Sequence, residues 1–147
     1  MESLKLDRKL AQLAVLQRIE LTTPFQKKIR KLFGRYLFSK IFSKYMINID
    51  KISQDYYKIM YSEYLTIKNF LNSKQNILSI GAGIGGLEVI INNNFKDEMF
   101  TFIERDFVSK KIKYGWDNLN KEAYNKLYLL ENFLLLNQVK KDRFRII

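Results

Sequence analysis

The chain has no cysteine and no histidine among its 147 residues. Without thiols, disulfides and thiolate nucleophiles are excluded; without imidazole, histidine bases and the usual zinc sites go as well. Any proton-transfer group must be Asp, Glu, Lys or Tyr. Proline occurs once and glycine six times, four of those glycines crowded into residues 81–86. No apolar run approaches the ~18 residues that a membrane span requires. The opening MESLKLDRKL lacks the apolar core of a secretory signal, so a cytoplasmic protein is expected. Acid is scarce too: 15 Asp and Glu stand against 26 Lys and Arg, a formal net charge of +11 with a pI near 9.7.

A 47% hydrophobic content with eleven Phe and nine Tyr argues for a packed core and against disorder. The length suits one domain burying roughly two-thirds of its unfolded surface. The positive charge is compatible with nucleic acid or an anionic membrane surface. It is equally compatible with the Lys-, Ile- and Asn-rich usage of the whole chain. Residues 1–50 carry eleven basic and four acidic residues, so the imbalance is concentrated there.

The first seventy residues predict helices. Ser3 is placed to cap one from about Leu4 to Glu20, with Leu6, Leu10, Leu13 and Ala14 on one side. Thr23, Pro24 and Gln26 form a capping-box pattern with proline at the first helical position, starting a second helix that extends to about Met46. In it Lys27, Lys28, Arg30, Lys31, Arg35, Lys40 and Lys44 alternate with Ile29, Phe33, Leu37, Ile41 and Phe42, with no acid among them. The leading expectation is an apolar face packed on the domain and a solvated basic face. A peripheral contact of residues 24–46 with an anionic membrane comes second, and a nucleic-acid contact is least favoured. Gly34 weakens the middle of this helix. A third helix is expected from a Ser53 cap to about Leu71, with Tyr57, Met60, Tyr64, Ile67 and Leu71 as its core stripe.

The stretch that organises the chain is ILSIGAGIGGLEVIINNNFKDEMFTFIERD, residues 77–106. Strand-like Ile77–Ile80 runs into Gly81-Ala82-Gly83-Ile84-Gly85-Gly86, a helix-like segment follows, and a second strand-like run from Met99 to Ile103 ends on Glu104. Glycines suit a sharp strand-to-helix turn whose backbone approaches a ligand closely. The first turn of the helix offers unpaired N–H groups. A carboxylate ending the neighbouring strand can accept hydrogen bonds from two ribose hydroxyls, so a ribose-bearing cofactor is implied.

Two registers fit. Gly81, Gly83 and Gly86 satisfy the dinucleotide pattern of FAD- and NAD-binding proteins. Gly81, Gly83 and Gly85 resemble motif I of class I S-adenosylmethionine-dependent methyltransferases. Dinucleotide sites want a small residue four positions after the third glycine, and here that residue is Ile90. The helices ahead of the motif, and the likeness of residues 124–147 to the helix and strand that follow the ribose acid in methyltransferases, favour the second register. That resemblance implies S-adenosylmethionine as cofactor, with Gly81, Ala82, Gly83 and Gly85 bordering its methionyl part, Glu104 on the ribose, and Arg105 or Asp106 near adenine. It puts Tyr64 or Tyr57 beside the cofactor carboxylate. Ser79 stands where many members carry an acid near the cofactor's amino group.

The expected fold is α/β: an all-helical N-terminal region, 1–72, followed by a partial Rossmann-like methyltransferase sheet of about three parallel strands, 73–147. By the same resemblance the strands lie in the order third, second, first, leaving the first strand as an exposed apolar edge that invites self-association. Beyond Glu104, a polar-aromatic loop at residues 110–118 holds Trp116, the only tryptophan. Asn120 is placed to cap a helix to about Asn137, and a last strand starts near Arg143. The methyl acceptor implied is a small molecule or sugar modified on oxygen. The family's usual acceptor-holding half is not expected within these 147 residues, so a truncated enzyme with weak or no activity by itself is anticipated. A non-catalytic basic module, binding a membrane surface or nucleic acid, is the alternative outside the enzyme class.

Overall fold

The computed structural model describes residues 2–34, Phe38, 43–105 and 126–147. The first helix, α1, is Arg8–Gln17, shorter than expected. Its cap is Asp7, whose carboxylate accepts from the Leu10 N–H at 2.8 Å. Ser3 does not start it, because the backbone just beyond is already engaged. The Leu4 carbonyl accepts from the Ser53 hydroxyl, and the Lys5 N–H and carbonyl both bond the Asn137 amide, at 2.8 and 3.1 Å. Leu4 is thereby sunk into the core from a non-helical segment.

After a 3-10 turn at Ile19–Leu21, α2 spans Pro24–Phe33. Its capping box forms as expected: Gln26 N–H donates to the Thr23 hydroxyl at 3.2 Å, and Thr23 N–H donates to the Gln26 side chain at 2.9 Å. The helix stops at Gly34, which lies at φ 79°. The rest of the expected second helix lies outside the described residues except for Phe38 and the short helix α3, Ser43–Met46. The third helix, α4, is Ile49–Ile67, capped by Asn48 rather than by Ser53. Ser53 sits one turn in, buried, spending its hydroxyl on Leu4. Of the expected stripe, Met60 and Tyr64 are buried, joined by Tyr56 and Ile52; Tyr57 and Ile67 are only partly buried.

The strands β1 (Asn76–Ile80), β2 (Met99–Ile103) and β3 (Phe144–Ile146) form an open parallel sheet in the order β1-β2-β3. Helix α5, Gly86–Asn94, connects β1 to β2, and α6, Leu127–Leu136, precedes β3. The expected start of that last helix at Asn120 lies outside the described residues, as do Asp106, the 110–118 loop and Trp116. The fold is therefore α/β on a three-stranded parallel sheet, with β1 at one edge. Buried Glu98 seals the amino end, accepting from the Lys74 and Asp97 N–H groups at 3.3 and 3.1 Å.

Alternation along the strands divides the sheet into two faces. Phe100, Phe102 and Phe144 point into the helical layer, where Tyr56, Met60, Val89, Ile90, Leu130 and Phe133 complete one core shared across residue 72. The register pairs Leu78 with Thr101 and Ile80 with Ile103 on the other face. There Leu78 is 58% and Ile80 72% exposed. No described helix is long and apolar enough to cross a membrane.

Candidate functional site

The glycine turn begins where β1 ends. The Gly81 N–H donates to the Ile103 carbonyl at 3.0 Å, holding the turn level with the end of β2. Gly81, Gly83 and Gly85 lie at φ 68°, 64° and 84°, left-handed conformations that residues with a Cβ adopt only with strain. Gly86 has no such φ. It is small because a Cβ there would lie 2.5 Å from the Tyr56 hydroxyl oxygen and 2.7 Å from Met60 Cγ. The alternate-glycine register is thus required by the turn itself, and the fourth glycine by the approach of α4.

Around this turn the structure gathers several side chains. Glu104, just past β2, accepts from the Gly83 N–H at 2.9 Å through one oxygen and from the Arg105 N–H at 3.0 Å through the other. The sequence-predicted ribose acid therefore stands directly beside the predicted glycines. Arg105 is exposed. Ser79, partly buried on β1, donates its hydroxyl to Glu88 in the first turn of α5. Tyr64 is buried in the core, its ring centroid 5.8 Å from that of Tyr61. Tyr57 instead donates to Glu2, and burial with that contact pushes its hydroxyl up to about 12. Among the tyrosines of α4, the one against the turn is Tyr56.

Three contributors were missed by sequence reasoning: Gln17, Tyr56 and Glu88. Gln17 closes α1 and lays its side-chain oxygen 2.6 Å from where a Gly83 Cβ would stand. Nothing in the local sequence marks it. Tyr56 shares the i, i+4, i+8 line with Met60 and Tyr64, so its placement was readable from periodicity. Burial, reinforced by the negative charge of Glu88, drives its ionisation well above the ordinary tyrosine range, so it acts as a neutral hydroxyl and not as a base. Glu88 was also visible, as the lone acid in the apolar run from Ile84 to Ile91.

Glu88 is the most unusual group here. It is 5% exposed, and its Oε2 has no hydrogen-bond partner among the described residues. That oxygen lies 3.8 Å from the position of a Gly85 Cβ, directly under the turn. Burial raises its carboxyl above the ordinary value; the Ser79 hydroxyl opposes this, and the carboxylates of Glu63 and Glu104 add to it. Glu63 is paired with Arg18 at 2.7 Å, each about one-third exposed. Two carboxyl groups, Glu88 and Glu104, therefore border the turn.

No protein-family model, curated protein or solved structure matches the chain.

The chemistry of the turn has to be judged from its own groups. Among the described residues no atom beyond the chain neighbours lies within 4 Å of the Cβ position at Gly81, a cradle where backbone can be approached. Among the described residues no cluster of acids is arranged to hold a metal ion. A separate hollow, lined by Asn76, Met99, Thr101, Asp142 and Arg145 among others, lies at the amino ends of the strands, opposite the end where open α/β sheets bind ligands.

Proposed function

We propose that the chain is the cofactor-binding part of a cytoplasmic S-adenosylmethionine-dependent methyltransferase, its sheet one half of a Rossmann-like arrangement, acting on an oxygen of a small molecule or sugar. The observation that carries this reading is the carboxyl-lined glycine turn. A pyrophosphate would meet Glu88 and Glu104 as like charges and would find the Gly83 N–H already bonded to a carboxylate. A ligand carrying an ammonium and a sulfonium meets the opposite field. The buried Ile90, at the position that dinucleotide sites keep small, supports the same choice.

The residues present fit such a cofactor. Gly81 offers open backbone, Glu104 has lone pairs left for ribose hydroxyls, and the unpartnered Glu88 oxygen with Ser79 supplies the charge that position 79 itself lacks. When bound, S-adenosylmethionine supplies an activated methyl group. Glu88 then holds the ammonium, Glu104 orients the ribose, and Gln17 gives way over Gly83. Among the described residues no base is placed at the turn other than these carboxyls, so cofactor binding rather than turnover is the function proposed for this chain alone. Self-association through the outer edge of β1 belongs to the same reading, since that edge has backbone groups to pair.

Calorimetric titration of the folded chain with S-adenosylmethionine, S-adenosylhomocysteine, FAD and NAD tests the proposal. Binding of the adenosyl ligands, lost in Glu104→Ala, is expected. Glu88→Gln is expected to weaken S-adenosylhomocysteine while leaving 5′-methylthioadenosine, which lacks the amino-acid part, unchanged. Binding of FAD or NAD in place of the adenosyl ligands would overturn the choice of cofactor.

A further inference from the structure

Helix α2 is fastened by its polar side. Arg30, the helix's one buried residue, is 9% exposed and donates to the carbonyls of Val15 and Leu16 at 3.3 Å each, in the last turn of α1. Gln26, one turn earlier, donates to the Met46 carbonyl at 3.1 Å. Arg30 thus departs from the expected solvated basic face, which Lys27, Lys28 and Lys31 keep, and the apolar face is packed only in part. Ile29 packs partly on the core, but Phe25 is 64% and Leu32 78% exposed.

Phe25 and Leu32 stand seven residues apart, two turns along one line of the helix. Lys28 falls between them, three after Phe25 and four before Leu32, and Lys31 lies about 60° further round the helix, both exposed. There is no acid in the helix, and the whole chain carries +11. A nucleic acid would engage the lysines and leave Phe25 and Leu32 in water; an apolar protein groove would have to bury the Lys28 and Lys31 ammonium groups. An anionic lipid surface satisfies both, taking apolar side chains below its headgroups and ammonium groups at the phosphates.

We infer that α2 is a membrane-surface docking helix that seats Phe25 and Leu32 in an anionic bilayer interface, with Lys28 and Lys31 on the lipid phosphates. The inference is independent of the cofactor assignment. Because the anchoring residues Arg30 and Gln26 face away from this surface, the folded chain can dock without unpacking.

The test is co-sedimentation of the full chain with vesicles of phosphatidylcholine alone and of phosphatidylcholine mixed with phosphatidylglycerol. Binding is expected only with the anionic lipid, falling about fivefold for each of Lys28→Gln and Lys31→Gln. The double variant Phe25→Ser, Leu32→Ser should lose at least tenfold while keeping the circular dichroism of the parent. A folded chain that ignores anionic vesicles overturns the inference. So does binding that survives the double serine variant, or tighter binding to a DNA duplex than to the vesicles.

Discussion

The two faces of the sheet are made by the same strands, yet one is dry and the other wet. Phe102 is completely buried, while Ile103, the next residue, is 44% exposed. Composition does not explain the difference, since Leu78, Ile80, Met99 and Ile103 are as apolar as the residues behind them. Handedness does. Parallel crossovers are right-handed almost without exception, and two that step the same way across the sheet, from β1 to β2 to β3, put α5 and α6 on one side. Parallel sheets are normally covered on both sides. Burial here is therefore assigned by connection, not by the character of the side chains.

The largest expected effect separates adjacent residues. Phe102→Ala should lose about 3–5 kcal/mol of stability in denaturant unfolding, whereas Ile103→Ala should lose under about 1 kcal/mol. Equal losses would break the comparison. Next comes the packing that covers the dry face: Gly86→Ala drives a methyl into Tyr56 and Met60 and should lose about 1–3 kcal/mol. A smaller effect is a slope with pH. Glu88 holds its proton to higher pH in the folded chain than at its ordinary 4.5, so its contribution is full below that value and declines as pH rises through the raised folded value. Thermal melts between about pH 4 and 8 should show a decline that Glu88→Gln removes. Smallest of all, Ile80→Lys on the wet face should alter stability by no more than about 0.5 kcal/mol. The same change should reduce binding of an apolar dye, which a buried Ile80 would not do.

What the sequence made legible was local. The Thr23–Gln26 capping box, the strand–glycine–helix–strand succession and Glu104 beside the turn all depend on residues close together or on a fixed topology. What stayed illegible depended on distant partners. Ser3 was the expected cap and Asp7 is the actual one, because Ser53 and Asn137 occupy the backbone of Leu4 and Lys5. The periodicity of α2 showed two unlike faces but not that Arg30 would turn inward to the end of α1. Glu88 was conspicuous as a lone acid, but its hydroxyl partner on β1 appears only when strand and helix are folded together.

The Asn137 amide grips the Lys5 backbone from 132 positions away while also donating to Phe133 at 2.9 Å. It ties the first ordered segment to the end of α6. On a ribosome this has a temporal meaning. Leu4 and the helices behind it are made first but cannot close this contact until residue 137 has followed them. So widely separated a contact is slow to form. During that interval the α1 and α4 surfaces remain open to non-native pairing, and a chaperone that binds apolar helices would find its substrate there.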